Sequence, residues 1–182
     1  MNETTASAGG ATSGLGAPVL RVEDERLLTG AGHYTDDLAL PNMAFAHVVR
    51  SPHAHARILG LDTTAALAAP GVLAVLTGDD VAAEKLAGLA YESIPKSRPG
   101  SPSYCPVQPI LVADRVRHVG DRVALVVAET LAQAKDAGEL VEIEYEALPS
   151  VTLADALAPG APKVWDEADG NVSFELEFGD RN

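Results

Sequence analysis

Apolar residues are concentrated in short runs along the middle of the chain. A first strand is predicted at Ala44 to Arg50, and a second, shorter one includes Ile58 and Leu59. The run VLAVLTG at 72–78 is almost entirely apolar, which is typical of a strand covered on both faces. Residues 122–129 read RVALVVAE and predict another buried strand.

The segment at 141–148, VEIEYEAL, alternates strictly between apolar and acidic residues. Successive side chains of a strand point to opposite faces, so this pattern predicts a half-solvated, edge-like strand. A helix capped by Thr130 is predicted between this strand and the one at 122–129. A strand, helix and strand in this order favour a right-handed crossover between parallel neighbours.

Two further short helices are predicted. The first covers Thr64 to Ala69 and ends at Pro70, which cannot extend it, while Gly71 can reverse the chain. The second begins with Asp79 and Asp80, whose charges are favourable near a helix N-terminus. The predicted fold class is therefore α/β (α+β), with a mixed sheet and short covering helices.

The composition also predicts the domain boundaries. Residues 1–18 are rich in Gly, Ala, Ser and Thr and are expected to form a flexible leader. Residues 19–158 are expected to form the domain, and 159–182 a C-terminal extension or a linker to a missing region. Residues 91–109 contain five prolines and predict a long loop. The tail FELEFGDRN stops in mid-alternation, where we expect a new element to begin.

Charge and cysteine content narrow the function classes. The 182 residues include 13 basic and 26 acidic side chains, which give a formal net charge of -13. This charge repels nucleic acid and anionic membranes, so neither is an expected partner. Cys105 is the only cysteine, which excludes an intrachain disulfide and fits a reducing compartment. With no signal peptide or bilayer-length apolar run, a cytoplasmic location is expected.

The sequence gives only weak evidence for metal-binding or phosphate-binding residues. His53 and His55 stand two apart and would share one face of a strand, but no carboxylate or thiol follows at ligand-like spacing. We expect both histidines to be structural. Phosphate-binding glycines lie in a turn between a strand and the start of a helix, and neither Gly30 nor Gly32 fits that pattern. Gly120 does not fit it either, because it precedes a strand and not a helix.

The sequence evidence for catalytic residues is equally weak. Cys105 lies between Tyr104 and Pro106 with no implied base, which disfavours a nucleophile. Asp36, Asp37 and the glutamates at 142, 144 and 146 resemble general acids by residue type only. No catalytic, cofactor-binding or metal residue is therefore predicted within this chain.

Several segments, read together and in order, carry a family resemblance. They are RVEDERLLTGAGHYTDDL, FAHVVRSPHAHARILGLDTTAAL, PGVLAVLTGDDV, PILVADRVRHVGDRVALVVAETLAQAKDAGELVEIEYEALPSV and DALAPGAPKVW. From about Leu20 to Asn171 the chain resembles the N-terminal α/β hammerhead domain of the molybdopterin-binding large subunit of the xanthine dehydrogenase, aldehyde oxidase and aerobic carbon monoxide dehydrogenase family.

This resemblance implies an oxidoreductase that uses molybdenum held by a pterin dinucleotide, usually the cytosine form in bacteria. Water supplies the inserted oxygen, and electrons leave through [2Fe-2S] clusters to FAD. The implied partners are the molybdopterin-binding remainder of the large subunit, an FAD-binding medium subunit and an iron–sulfur small subunit. The family's pterin-binding residues and catalytic glutamate lie beyond the hammerhead domain, so this chain alone is expected to be non-catalytic.

Two functional hypotheses follow from the sequence. In the first, the chain is the opening portion of a molybdenum hydroxylase large subunit, and its end at Asn182 leaves that subunit unfinished. In the second, it is a freestanding interaction or scaffold module without redox chemistry. The apolar residues Tyr91, Ile94, Phe174 and Phe178 have no evident cover in so small a domain, which favours the first.

Overall fold

The computed structural model describes residues 21–89, 91, 97–101 and 103–179. The chain divides into two compact units, Met1–Pro41 and Asn42–Asn182. In the first unit, the described residues form helix α1 (Asp24–Leu28) and a 3₁₀ turn (Thr35–Asp37). The expected leader at 1–18 lies outside the described residues.

The second unit contains six strands and three helices among its described residues. The strands are β1 (Phe45–Arg50), β2 (Ala56–Asp62), β3 (Val72–Thr77), β4 (Arg115–Val116), β5 (Arg122–Ala128) and β6 (Glu142–Ala147). The helices are α2 (Thr64–Leu67), α3 (Gly78–Ala83) and α4 (Leu131–Gly138). None of the helices in the described ranges is long and apolar enough to cross a bilayer.

The first sheet has the order β1-β5-β3, and β5 pairs antiparallel with both neighbours. Helices α2 and α4 pack on one of its faces. The core there contains the fully buried Val126, together with Ala66 of α2 and Ala137 of α4. Small alanine side chains let these short helices lie close to the strands.

The second sheet has the order β4-β2-β6 and is also antiparallel. Its core contains Ala56, Val112, Val116 and Val123, none more than 3% exposed. The predicted alternation of β6 is confirmed. Its apolar side chains at 143 and 145 pack against this core, and the glutamates at 142, 144 and 146 are exposed.

Local sequence signals explain the helix ends. The Thr77 hydroxyl accepts a hydrogen bond from the amide of Asp80, whose carboxylate in turn accepts one from the Thr77 amide, so α3 begins with a reciprocal capping box. Thr130 caps α4 through the amide of Gln133, as predicted. Gly71 adopts a φ of 78° between α2 and β3, a conformation that favours glycine.

The α/β fold class is confirmed, but the sheet arrangement differs from the prediction. The single mixed sheet is replaced by two antiparallel sheets, and β5 and β6 are not parallel neighbours. Both edges of β5 are already occupied by β1 and β3. The chain after α4 therefore continues into the second sheet, where β6 pairs with β2.

The prediction that both faces of β3 are covered is wrong for the described residues. Leu73 is 57% exposed and Leu76 is 40% exposed. β3 is an edge strand of its sheet, and α2 and α4 cover only the opposite side.

Candidate functional site

A polar junction holds the end of β1 against the beginning of β5. The Ser51 amide donates to the Asp121 carbonyl (2.9 Å), and the Gly120 amide donates to the Ser51 carbonyl (2.8 Å). The Asp121 carboxylate, in a residue only 6% exposed, accepts the amide of Arg117 at 2.9 Å. Asp121 is thus a structural carboxylate that shapes the turn into β5.

The Gly120 backbone shows why this glycine is not an anion site. Its φ is 87°, and its amide is already bonded to Ser51. Its carbonyl accepts the Arg50 guanidinium at 2.8 Å. The interpretation that Gly120 lets the chain enter a buried strand without strain fits this geometry.

His53 and His55 have different contacts and do not act as a pair. The His53 ring lies 4.7 Å from the Tyr145 ring. His55 Nδ1 lies 2.8 Å from the Pro149 carbonyl oxygen, which can only accept, so Nδ1 carries the proton. His55 Nε2 is buried and has no hydrogen-bond partner among the described residues.

Tyr145, like His55, has a buried polar atom without a hydrogen-bond partner among the described residues. Its hydroxyl is buried, and it makes no hydrogen bond within the described part of the chain. Burial raises the pKa of Tyr145, and the negative charge of the Asp121 carboxylate reinforces this change. The phenol therefore stays protonated and neutral at physiological pH.

A small cavity of about 180 Å³ is lined by several basic side chains, namely His55, Arg117, His118 and Lys163. The Arg117 guanidinium stacks 3.8 Å above the Trp165 ring and donates to the Arg115 carbonyl. Lys163 Nζ donates to the Ala168 carbonyl at 2.7 Å. Arg117 thus contacts the C-terminal segment of this chain, and the Lys163 bond lies within that segment.

The C-terminal segment, residues 162–171, is ordered by hydrogen bonds from the side chain of its last residue, Asn171. The Asn171 amide group donates to the carbonyls of Ala156 and Pro162, and its oxygen accepts the Val164 amide at 3.0 Å. An ion pair between Arg115 and Asp166 (2.6 Å) joins the segment to β4. The hydrogen bond from Arg115 lowers the pKa of Asp166.

A larger, open cleft of about 480 Å³ lies along β2 and β6. Its lining residues are Gly60, Leu61, Asp62, Glu142, Ile143 and Glu144. Its three carboxylates would repel a phosphate or a pyrophosphate.

The other candidate residues are dispersed. Cys105 Sγ lies 3.6 Å from the Ser173 hydroxyl. The Asp37 carboxylate accepts the Tyr34 amide, and Glu146 pairs with Arg57 at 3.1 Å on the surface. In the part of the chain that the structure describes, no group of three or more His, Cys, Asp and Glu residues could hold a metal ion.

Sequence reasoning missed Asp121, Trp165 and Asn171. Asp121 carried one available signal, since an acidic residue between a glycine and a buried strand is placed to bond the turn amides. Trp165 and Asn171 lie in a segment without periodicity, so nothing in the local pattern identifies their partners.

The sequence is similar to known proteins of one family. Residues 29–149 match the family model of the aldehyde oxidase and xanthine dehydrogenase a/b hammerhead domain. The chain is 41% identical to the carbon monoxide dehydrogenase large chain of Afipia carboxidovorans, and the match covers 100% of this chain and 23% of that protein. It is 37% identical to the xanthine dehydrogenase molybdenum-binding subunit of Escherichia coli O157:H7, over 75% of this chain and 18% of the relative.

Solved structures agree with these sequence matches. Quinoline 2-oxidoreductase from Pseudomonas putida 86 superimposes with a TM-score of 0.74 and 44% sequence identity. That match covers 85% of this chain and 19% of the quinoline enzyme chain. The chain therefore spans less than a quarter of the relatives that it matches.

Proposed function

We propose that this chain, which belongs to the aldehyde oxidase and xanthine dehydrogenase family through its hammerhead domain, is a non-catalytic portion of the large subunit of a molybdenum hydroxylase. The observation that carries the proposal is the match over residues 29–149, together with relatives that are parts of molybdenum-dependent oxidoreductases. The resemblance of the sequence to these large subunits points to the same role.

The complete enzyme oxidises a small substrate with water as the oxygen source. Its cofactor is molybdenum bound by a pterin cytosine dinucleotide in the remainder of the large subunit. Electrons pass to [2Fe-2S] clusters on a small subunit and to FAD on a medium subunit. We infer a cytoplasmic location from the single cysteine and the reducing compartment that it suits.

The described residues of this chain do not fit the pterin cofactor. The cavity with basic side chains has a volume of about 180 Å³. Sites for molecules of drug or cofactor size have volumes of about 300–1,000 Å³. The larger cleft is lined by Asp62, Glu142 and Glu144, whose charges oppose a dinucleotide's phosphates. This disagreement supports a division of labour in which the cofactor lies in the remainder of the subunit.

The test is to purify the native complex and the 182-residue chain separately. Molybdenum and iron are measured by elemental analysis, flavin by absorbance, and oxidation by assays with a purine, an aldehyde and carbon monoxide. We expect the native complex to contain all three cofactors and the chain alone to contain none and oxidise nothing. Stoichiometric molybdenum in the chain alone would overturn the proposal.

Intact-mass analysis of the native complex separates the proposal from the freestanding scaffold hypothesis. If the proposal holds, the chain is recovered in one assembly with a cofactor-binding polypeptide, joined to it or bound to it. Recovery of the chain with no cofactor-binding polypeptide would favour the scaffold.

A further inference from the structure

Two cations that line one small cavity have no carboxylate partner. We call the cavity of about 180 Å³ that is lined by His55, Arg117, His118 and Lys163 the basic cavity. The Arg117 side chain donates to the Arg115 carbonyl and stacks on Trp165, and Lys163 donates to the Ala168 carbonyl. Neither cation makes an ion pair within the part of the chain that the structure describes.

This lack of partners stands out in an acidic chain. Asp and Glu outnumber Lys and Arg by 26 to 13, so carboxylates are abundant. Four other arginines each pair with a carboxylate, namely Arg21, Arg57, Arg98 and Arg115. Among the described residues that line the basic cavity, none is Asp or Glu. The cavity therefore gathers positive charge that the chain leaves without a partner there.

The Arg117 guanidinium is also partly removed from water. The residue is half-buried, and its Nε atom is buried without a hydrogen-bond partner in the described ranges. Desolvation of a charged group raises the free energy of the folded state unless an opposite charge lies nearby, and the contact with an aromatic ring offsets only part of this cost. An anion in the adjoining cavity would supply the missing charge.

Two carboxylates lie close to the basic cavity without filling this role. The Asp121 carboxylate accepts the backbone amide of Arg117. The Asp166 carboxylate pairs with Arg115 at 2.6 Å. Together with Lys163, these groups comprise three cations and two carboxylates, so their sum remains positive.

We propose that the basic cavity binds one free tetrahedral oxyanion, phosphate or sulfate, between Arg117 and Lys163. A guanidinium matches the geometry of such an anion, and an ammonium supplies a compact charge. Lys163 uses one of its three ammonium donors for the Ala168 carbonyl, which leaves two for the anion. The backbone amides of Ser150 and Val151, which also line the cavity, make no hydrogen bond to a described residue and are further donors.

The volume of the cavity limits the ligand to a small ion. A water molecule takes about 30 Å³ in the liquid, so 180 Å³ accommodates an oxyanion with a few waters, whereas sites for larger ligands have about 300–1,000 Å³. An anion bound there joins the turn before β5 to the C-terminal segment and stabilises the folded state by linkage. This site is independent of the molybdenum cofactor and of the proposed function.

Equilibrium dialysis of the native complex against radiolabelled inorganic phosphate measures this binding. The ionic strength is held at about 0.15 M, because salt screens exposed charges. Lys163→Gln removes one cation from the cavity, and Lys163→Arg keeps the charge. Lys135→Gln is the matched control, since Lys135 is an exposed lysine of α4 and does not line the cavity.

We expect Lys163→Gln to raise the dissociation constant of one phosphate per chain at least tenfold, because the lost charge lies next to the anion. Lys163→Arg should change it less than threefold, and Lys135→Gln less than twofold. Equal weakening by Lys163→Gln and Lys135→Gln would show that only the overall charge attracts phosphate, which would overturn the proposal. Binding seen only at molar phosphate would indicate an adventitious ion only and would overturn it as well.

Diffraction from crystals of the native complex soaked in selenate locates the anion without any substitution. Selenate has the shape and charge of sulfate and is an anomalous scatterer. We expect an anomalous peak in the basic cavity, within hydrogen-bond distance of Lys163 Nζ, that disappears when phosphate is added. A cavity without a peak at saturating selenate would overturn the proposal.

Glycerol 2-phosphate, which carries the same group on a larger body, tests whether the ligand is a free ion. We expect it to compete with radiolabelled phosphate at least tenfold more weakly than unlabelled inorganic phosphate does, because the cavity has no room for the glycerol. Equal competition by the two compounds would overturn the assignment to a free oxyanion.

Discussion

Val126 and Val127 are consecutive residues of β5 that point to opposite sides of one sheet, and only Val126 is fully buried. Val126 lies beneath α2 and α4 with Ala66 and Ala137, while Val127 is only half-buried on the opposite side of the sheet. The two positions therefore differ in how much water reaches a side chain placed there.

We therefore expect Val126→Asp and Val127→Asp to differ in the isolated chain. An unpaired carboxylate at the fully enclosed position costs several kcal/mol and unfolds the chain, whereas one at the half-open position remains partly hydrated. Circular dichroism and urea unfolding measure the difference. Equal losses of stability for the two variants would show that the side of the sheet with Val127 is already covered within the chain.

The same comparison shows what the sequence could predict. The alternation of β6 and the Thr130 cap are local signals, and both are present in the structure. The partner of β6 depends on which edges are free, and β5 has none because β1 and β3 flank it. No pattern within 141–148 carries that information.

The polar junction and the C-terminal segment were also beyond local reasoning. Asp121 bonds the Arg117 amide within its own turn, so its residue type gave a hint. Asn171 bonds backbone groups as far as 15 residues away, at Ala156, in a segment without regular elements. Such contacts are fixed by packing, which a single sequence does not display.

A capping box makes part of the stability depend on pH. The Asp80 carboxylate accepts hydrogen bonds from the Thr77 hydroxyl and amide, both 2.7 Å, and these lower the pKa of Asp80. Because the folded-state pKa lies below the unfolded value, the contribution is present above about pH 4 and is lost as pH falls through the folded pKa. Asp80→Asn should therefore be less stable than wild type at pH 7 and converge with it in acid.

Urea midpoints measured from neutral pH down to about pH 2.5 test this expectation. Asp79→Asn in the same helical turn is the matched control. The Asp79 carboxylate makes no hydrogen bond within the part of the chain that the structure describes. A stability difference between wild type and Asp80→Asn that stays constant across the range would contradict the assignment.

Asn171 should control the order of residues 162–171. Asn171→Ala removes three hydrogen bonds, each with a net value of about 1 kcal/mol, and should loosen this segment before the sheets unfold. Trypsin cleavage after Lys163 is expected to accelerate at least tenfold, with Asp169→Ala, a change at an exposed position, as the control. Unchanged cleavage would mean that the Arg117 stack on Trp165 is sufficient to hold the segment.

The isolated chain should self-associate and gain stability from its partners. Phe178 is 87% exposed, Tyr91 46% and Phe174 39%, whereas Ile94, expected to share this exposure, lies outside the described residues. Apolar groups left in water favour association, and a partner that binds only the folded state raises the melting temperature. At a partner concentration 100 times Kd, the gain is about 2.7 kcal/mol.

Sedimentation and thermal denaturation of the chain alone and in the co-expressed complex measure both effects. Substituting Phe178 with serine should reduce the self-association of the chain, because Phe178 has the largest exposed fraction of these three aromatic residues. Leu153→Ser, at a position 95% exposed, is the matched control for the loss of any exposed apolar side chain. A monodisperse, highly stable monomer whose melting temperature is unaffected by the companion polypeptides would contradict the large-subunit assignment and favour a freestanding module.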